Sequence, residues 1–381
     1  METKLKKYFP MIREREEVLA KIAESEVLQA KFNGWEPEQR EEFLDICTGV
    51  KGLKFLYDGF FKEILNPEYV PERFNDFLSC LLHQKVRVLK VLPGDSARIA
   101  DESSLLIADI VVELEDGSIA NVEMQKIGYL FPGQRCACYS ADLLLRQYKR
   151  VRGEEGKKFG YRDIKNVYTI VLFEKSPKEF HRYPDRYYHF FEQRSDSGMK
   201  LELLQKYLFI PLDIFRENQQ NKDIGIGDRR DAWLALFTFD EPERIIALIE
   251  KYPEFRKIYE EGYEICRNTE RVMEMFSKEL YELDRNTVQY MMDEQQEMID
   301  AQKETIDTQQ ETIDTQQETI DTQKEKIDTQ QETINAQQET IGSIYRRTIN
   351  ILRSMNMPDQ EIIERLCAEN RIEEKEARKY L

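Results

Sequence analysis

The 381-residue chain is poor in the residues that several common chemistries require. It has only three histidines, His83, His181 and His189, and they fall in no His-rich motif. A histidine-ligated metal centre or a Ser-His-Asp hydrolase therefore has little support. Six cysteines, Cys47, Cys80, Cys136, Cys138, Cys266 and Cys367, are scattered without zinc spacing or a disulfide framework. Cys136 and Cys138 would face different ways on a helix, so buried free thiols are expected. No apolar run approaches the length of a membrane span, and the opening METKLKKYFPMIREREE is too charged for a signal peptide. A cytoplasmic protein with no membrane association is expected. Cations are outnumbered too, 56 Lys and Arg against 73 Asp and Glu, for a formal charge of −17. That excess argues at first against a polyanionic partner, because phosphate binding rests on Lys and Arg.

The distribution of charge weakens the objection. Residues 293–341 carry fourteen acidic and three basic side chains, whereas residues 135–165 carry nine basic and four acidic ones. An acidic appendage can coexist with a basic site.

The most informative stretch is LLIADIVVELEDGSIANVEMQ, residues 105–125. Two Ile- and Val-rich segments, 105–114 and 119–126, flank the turn signal Glu115-Asp116-Gly117-Ser118, which predicts a hairpin. Even-numbered positions from Leu106 to Leu114 and from Ala120 to Met124 are apolar. Odd-numbered positions include Asp109, Glu113, Asn121, Glu123 and Gln125. A two-residue loop would set Asp109 against Met124 and bury an acid on the apolar face. A three-residue loop with Gly117 as its left-handed residue instead pairs Leu114 with Ser118 and Asp109 with Glu123. Two neighbouring carboxylates repel unless a cation neutralises them, and a divalent, oxygen-preferring metal is the natural occupant.

Asp109 followed by Glu123-Met124-Gln125 on the next strand resembles the Asp...Glu-x-Lys motif of the PD-(D/E)xK nuclease fold. Ala108 stands in the place of its Pro and Gln125 in the place of its Lys. The flanking segments KFLYDGFFKEIL, GQRCACYSADLLLRQYKRVRG and VYTIVLFEKSPKEF are similar to PD-(D/E)xK family transposases, also called recombination-promoting nucleases. The C-terminal IIERLCAENRIEEKEARKYL is similar as well. The resemblance implies an α/β fold with a restriction-endonuclease-like core, a mixed sheet flanked by helices. It also implies a metal-dependent DNA endonuclease acting in DNA recombination or mobile-element movement. Mg²⁺ is the expected ion, with Mn²⁺ as the alternative, held by Asp109 and Glu123. Gln125 would orient the attacking water with hydrogen bonds but no charge. Lys126 alternates onto the other face and is a poor substitute for the missing lysine. Asp58 matches an acid on the family's first helix that reaches toward the metal, although a solvated helix acid is an equal reading. Glu113 and Asn121 are accessory candidates on the polar face.

Five regions follow from the sequence. Residues 1–50 form an N-terminal helical segment, with Val18, Leu19, Ile22, Val27 and Leu28 as an interrupted apolar stripe. Residues 51–215 form the nuclease-like domain, with further strands expected at 86–92, 167–173, 187–191 and 207–212. Within it a helix over 133–150 repeats Arg135, Tyr139, Asp142, Arg146 and Lys149 at helical steps, while Ala137, Ala141, Leu144 and Tyr148 can pack. Arg135, Tyr139, Arg146 and Lys149 are candidate contacts to the DNA backbone, against the plainer possibility of a solvated face. Residues 216–292 form a helical extension.

Residues 293–345 carry a heptad repeat, with isoleucine at 299, 306, 313, 320, 327, 334 and 341. If isoleucine occupies a, glutamine fills every d, so the seam is half polar. This coiled-coil-like helix would serve as a spacer or bring copies together into a homo-oligomer through residues 298–341, or remain a frayed single helix. Residues 346–381 form a C-terminal helical segment around Ile362, Ile363, Leu366 and Ala368, with no evident recognition face. Two other functions fit the sequence, a non-catalytic DNA-binding relative marked by Gln125 and an oligomeric coiled-coil scaffold.

Overall fold

The structure is a computed structural model that describes residues 3–92, 110–127, 132–220 and 226–381. The described residues fall into two units, Met1–Gln295 and Gln296–Leu381.

Four helices open the first unit: α1 (Lys4–Tyr8), α2 (Arg15–Ala23), α3 (Glu26–Asn33) and α4 (Pro37–Cys47). Each boundary has a local cause. Thr3 and Ser25 accept from backbone N–H groups of the first turns of α1 and α3, and Pro37 sits where the first turn needs no donor. These breaks split the expected stripe, so Val18, Ile22 and Leu28 are buried while Leu19 and Val27 face solvent. Next come α5 (Asp58–Ile64) and α6 (Pro71–Leu82), then β1 (Val88–Leu92), β2 (Ile110–Leu114) and β3 (Ile119–Ile127). The long α7 (Pro132–Glu155) crosses over to β4 (Val167–Lys175), followed by β5 (His189–Phe191) and β6 (Gln205–Pro211). The unit continues through α8 (Leu212–Gln220), α9 (Arg229–Thr238), α10 (Pro242–Lys251), α11 (Glu254–Arg267) and the start of α12 (Thr269–Ser354).

The six strands form one mixed sheet in the order β1-β2-β3-β4-β6-β5. β3, β4 and β6 run parallel, and the remaining pairs are antiparallel. A crossover helix between parallel neighbours is what β3-α7-β4 supplies. One sheet face carries Ile110, Val112, Leu114, Ala120, Val122, Ile170 and Leu208. It joins a core that extends from Leu5 in α1 to Phe276 in α12. The N-terminal helices and the helical extension thus share one apolar interior with the sheet.

α9 shows how completely this side is enclosed. Its residues 231–238 are all buried, and its one indole donor is satisfied by Asp76, whose Oδ2 accepts from Trp233 Nε1 at 2.7 Å. Gly262 lets α11 approach closely, because a Cβ there would stand 2.4 Å from a Leu53 methyl. The other sheet face is covered by α7 and holds two smaller apolar clusters, one around Val111, Ile119, Leu143 and Val167, the other around Cys136, Val171, Phe173, Phe180, Phe209 and Ile214.

In the second unit the repeat is helical and its isoleucines are exposed, from 45% at Ile299 and Ile341 to 63% at Ile327. Threonine hydroxyls bond back to the carbonyl four residues earlier, as Thr312 does to Thr308 at 3.0 Å. Beyond the repeat, α13 (Asp359–Asn370) and α14 (Glu374–Ala377) form a small core in which Ile349, Ile362, Ile363, Leu366 and Ala377 are buried. Ala368, expected in that core, is exposed, and Ala377 fills the role. No helix among the described residues is long and apolar enough to cross a membrane.

Candidate active site

The hairpin has the register that its alternation requires. Ile110 pairs with Val122, Val111 with Asn121, Val112 with Ala120 and Glu113 with Ile119. At the turn, Leu114 N donates to Ser118 O at 2.8 Å and Gly117 N donates to Leu114 O at 2.9 Å. Gly117 adopts φ +84°, the left-handed conformation that a three-residue loop demands and that a side chain would strain. Asp109, the first carboxylate of the expected motif, lies outside the described residues.

Glu123 and Gln125 sit on the same face of β3, 6% and 5% exposed. Gln125 Nε2 donates to Glu123 Oε1 at 2.9 Å. A carboxylate can only accept, so the glutamine nitrogen must face it and the amide oxygen must point elsewhere. That Oε1 has no hydrogen-bond partner among the described residues. Glu123 also makes itself felt on α7. Burial first, and the Glu123 carboxylate second, push the buried Cys136 thiol far above its ordinary range. Oxygen donors of this kind, one carboxylate and one amide carbonyl, suit a hard divalent cation.

Around this pair lies a polar layer that hydrophobic periodicity did not reveal. Asn121 and Thr169 are neighbours across β3 and β4, both fully buried. Ser140 Oγ accepts from Gln205 Nε2 at 3.1 Å. Gln147 clamps two loops, donating to Gly117 O at 2.9 Å and accepting from Lys165 N at 3.0 Å. Glu113 is held by Lys90 at 3.1 Å and by Arg150. Burial would raise its carboxyl, but the bonds to Arg150 and Lys90 outweigh that and hold it below the usual glutamate value. Its charge is thus already balanced.

Because the sheet face is polar, α7 turns an amphipathic side toward it. Cys136, Tyr139, Ser140, Leu143 and Gln147 are buried, whereas Ala137 and Ala141, expected to pack, are exposed. Tyr139 therefore faces inward, with Arg135 stacked over its ring at 5.3 Å. Arg146 is half-buried and paired with Asp142 at 2.8 Å. Of the four candidate DNA contacts, Lys149 is exposed, Arg135 half-buried, and Tyr139 and Arg146 are engaged in packing. A spacing signal existed, since 136, 140, 143, 147 and 150 recur at helical steps, but apolar counting passes over Ser, Gln and Arg.

Asp58 is not brought to Glu123 and Gln125. It pairs with Lys62 at 2.6 Å and Lys278 at 3.1 Å, and its backbone N–H donates to Glu279 Oε2 at 3.0 Å. Glu279 in turn meets Lys126 at 2.7 Å, and Lys126 lies 4.3 Å from the Tyr57 ring. Lys126 projects from β3 to the side opposite Gln125, so this network belongs to the other sheet face. Among the described residues no group of three or more His, Cys, Asp or Glu side chains gathers as a metal cluster.

None of the curated proteins and no solved structure matches the chain. The family model of the PD-(D/E)XK nuclease family transposases does match, over residues 55–292, which takes in all six strands of the sheet and the helical extension that follows them. Divalent metals serve PD-(D/E)XK nucleases generally, and a nuclease or recombination-related function goes with the family. With a mixed sheet flanked by helices and a buried Glu-x-Gln on its third strand, the chain belongs to the PD-(D/E)XK nuclease family transposases.

Proposed function

We propose that the protein is a metal-dependent DNA endonuclease that hydrolyses phosphodiester bonds during recombination or mobile-element movement. The observation that carries this is the buried, hydrogen-bonded Glu123–Gln125 pair on β3. The hairpin register supports it further, since Ile110 pairs with Val122, the residue before Glu123, as the three-residue loop requires. Asp109 and Glu123 would hold Mg²⁺ or Mn²⁺. A bound ion of this kind lowers the pKa of water and steadies charge on phosphate oxygens.

The side chains have separate tasks. Glu123 contributes a carboxylate oxygen, and its Oε1 fixes the Gln125 amide. Gln125 Oε1 then accepts from the nucleophilic water and aims it, the role left to a glutamine that carries no charge. Arg135 and Lys149 contact the DNA backbone from α7. Asp58 anchors α12 to α5 through Lys278.

A non-catalytic DNA-binding role is the second reading, favoured by the neutral Gln125 in the lysine position. Cleavage of supercoiled plasmid with Mg²⁺ or Mn²⁺ separates the two. The wild type should nick or linearise the plasmid, and Asp109→Ala and Glu123→Ala should each lose roughly 100-fold or more while remaining folded. DNA binding without cleavage under either ion would leave only the second reading.

A further inference from the structure

The sheet face that bears Glu123 and Gln125 continues into an aromatic cavity. Gln125 pairs with Phe173 on β4, Val171 with Phe209 on β6, and Phe209 with His189 on β5. Phe173 and Phe209 have ring centroids 6.0 Å apart, and Phe180 closes on them at 5.4 and 5.8 Å. Beyond these rings opens a cavity of about 460 Å³, bounded by the Gly133–Ala137 turn of α7 on one side. Its size lies within the roughly 300–1,000 Å³ of small-ligand sites.

The lining points to a flat, polar-edged occupant. Tyr207 and Phe209 present nearly parallel rings, 6.5 Å apart at 21°, and Phe191 stands on edge to Phe209 at 5.4 Å. Glu179 and Glu192 supply carboxylate acceptors at the wall, Glu192 also lying 3.5 Å from Arg194. His189 Nε2 lies 3.1 Å from the Arg186 carbonyl and donates to it, which leaves Nδ1 of the neutral ring as a further acceptor. Two carboxylates repel a phosphate but accept readily from an exocyclic amino group. Exposed Lys178, Arg182 and Arg186 belong to the same segment and can hold a backbone outside.

β6 lies two strands from β3, about 10 Å at the usual strand spacing. That equals about three rises of 3.4 Å along one DNA strand. We propose that this cavity holds one unstacked, amino-bearing nucleobase of the DNA, a few nucleotides from the bond cut at Glu123 and Gln125. The proposal rests on the nuclease reading and adds a specificity subsite to it. Stacking on the aromatic rings would offset the cost of taking the base out of the helix, and Glu192 would favour cytosine or adenine over thymine.

The test uses the full chain with Ca²⁺ and a single-stranded oligonucleotide carrying 5-iododeoxycytidine, irradiated and mapped by mass spectrometry. Cross-links should fall within 179–193 and 205–209. Tyr183→Ala and Phe191→Ala alter exposed rings that line the cavity and spare the core. Each should weaken oligonucleotide binding about 10-fold, the effect of losing one stacking platform. Glu192→Gln should narrow the preference for cytosine over thymine. Cross-links confined to other segments, or binding by both ring variants within twofold of wild type, would overturn the subsite. Plasmid cleavage measured in parallel keeps the two ideas apart. Cleavage without cross-links in these segments rejects the subsite alone, and cross-links without cleavage uphold it while rejecting the endonuclease.

Discussion

The side-chain nitrogen of Gln125 donates to Oε1 of Glu123 at 2.9 Å, and both residues are more than nine-tenths buried on one face of β3. A lysine in place of the glutamine would meet the same carboxylate with a charge. The glutamine meets it with a dipole and keeps an acceptor to spare.

Gln125→Leu preserves the volume and removes both functions. Plasmid cleavage should fall about 10- to 100-fold, the range expected when a group that orients a metal-site ligand is lost. Stability should drop by about 1.5–3 kcal/mol, because the buried Glu123 carboxylate loses a donor. Cleavage at the wild-type rate by a folded variant would remove Gln125 from the mechanism.

Asp58 predicts an acid limb in the stability profile. Burial would raise its carboxyl, but the bonds to Lys62 and Lys278 outweigh that and hold it below the ordinary value of 3.8. The folded state thus binds this proton more weakly than the unfolded chain. Its stabilisation is complete above that ordinary value and disappears as pH falls through the folded value. Thermal midpoints between pH 6 and pH 2.5 should decline less steeply in Asp58→Asn, with plasmid cleavage at neutral pH unchanged. A folded Asp58→Asn protein that cannot cleave would bring Asp58 back to the metal.

Arg150→Met should cost about 2 kcal/mol, because Glu113 then stays buried with Lys90 as its remaining cation partner among the described residues. The double variant with Glu113→Gln should recover part of that loss in urea titrations. A single variant as stable as the wild type would mean that α7 is held by its apolar contacts alone.

The repeat offers a second copy of the chain an apolar stripe. Acids at Asp307, Asp314 and Asp321 directly follow the isoleucines, and Glu311 and Glu318 come two residues before them, while Gln309, Gln316 and Gln323 share the isoleucine side at a three-residue step. Sedimentation should therefore report a homo-oligomer. Replacing Ile306, Ile313 and Ile320 by Gln should shift it toward monomer without changing the fold of residues 3–276. A monomeric wild type at tens of micromolar would make the repeat a single-helix spacer.

The chain states some of this locally. Alternation at period two, with Gly117 at the turn, was enough to determine the pairing of β2 with β3, because a one-residue slip would turn every apolar side chain outward. The crossover from β3 through α7 to β4 was equally legible from a long helical pattern between two strand-like runs. The seven-residue spacing of isoleucine announced the repeat helix. Each of these signals lies within a few residues of its neighbours in the chain.

The side of α7 that would be buried could not be read in the same way. It depended on the partners that the fold sets beneath it, where Ser140 meets Gln205 and Gln147 reaches Gly117 and Lys165. The place of Asp58 was settled by Lys278, 220 residues further on, and that of Lys126 by Glu279. The cavity beside Phe209 required two strands, the 179–183 segment and a helix end to meet. A short-range pattern fixes what a segment is and which of its residues share a face. Only tertiary packing decides what that face meets, because a charge or amide is satisfied by whichever partner the folded chain brings within reach.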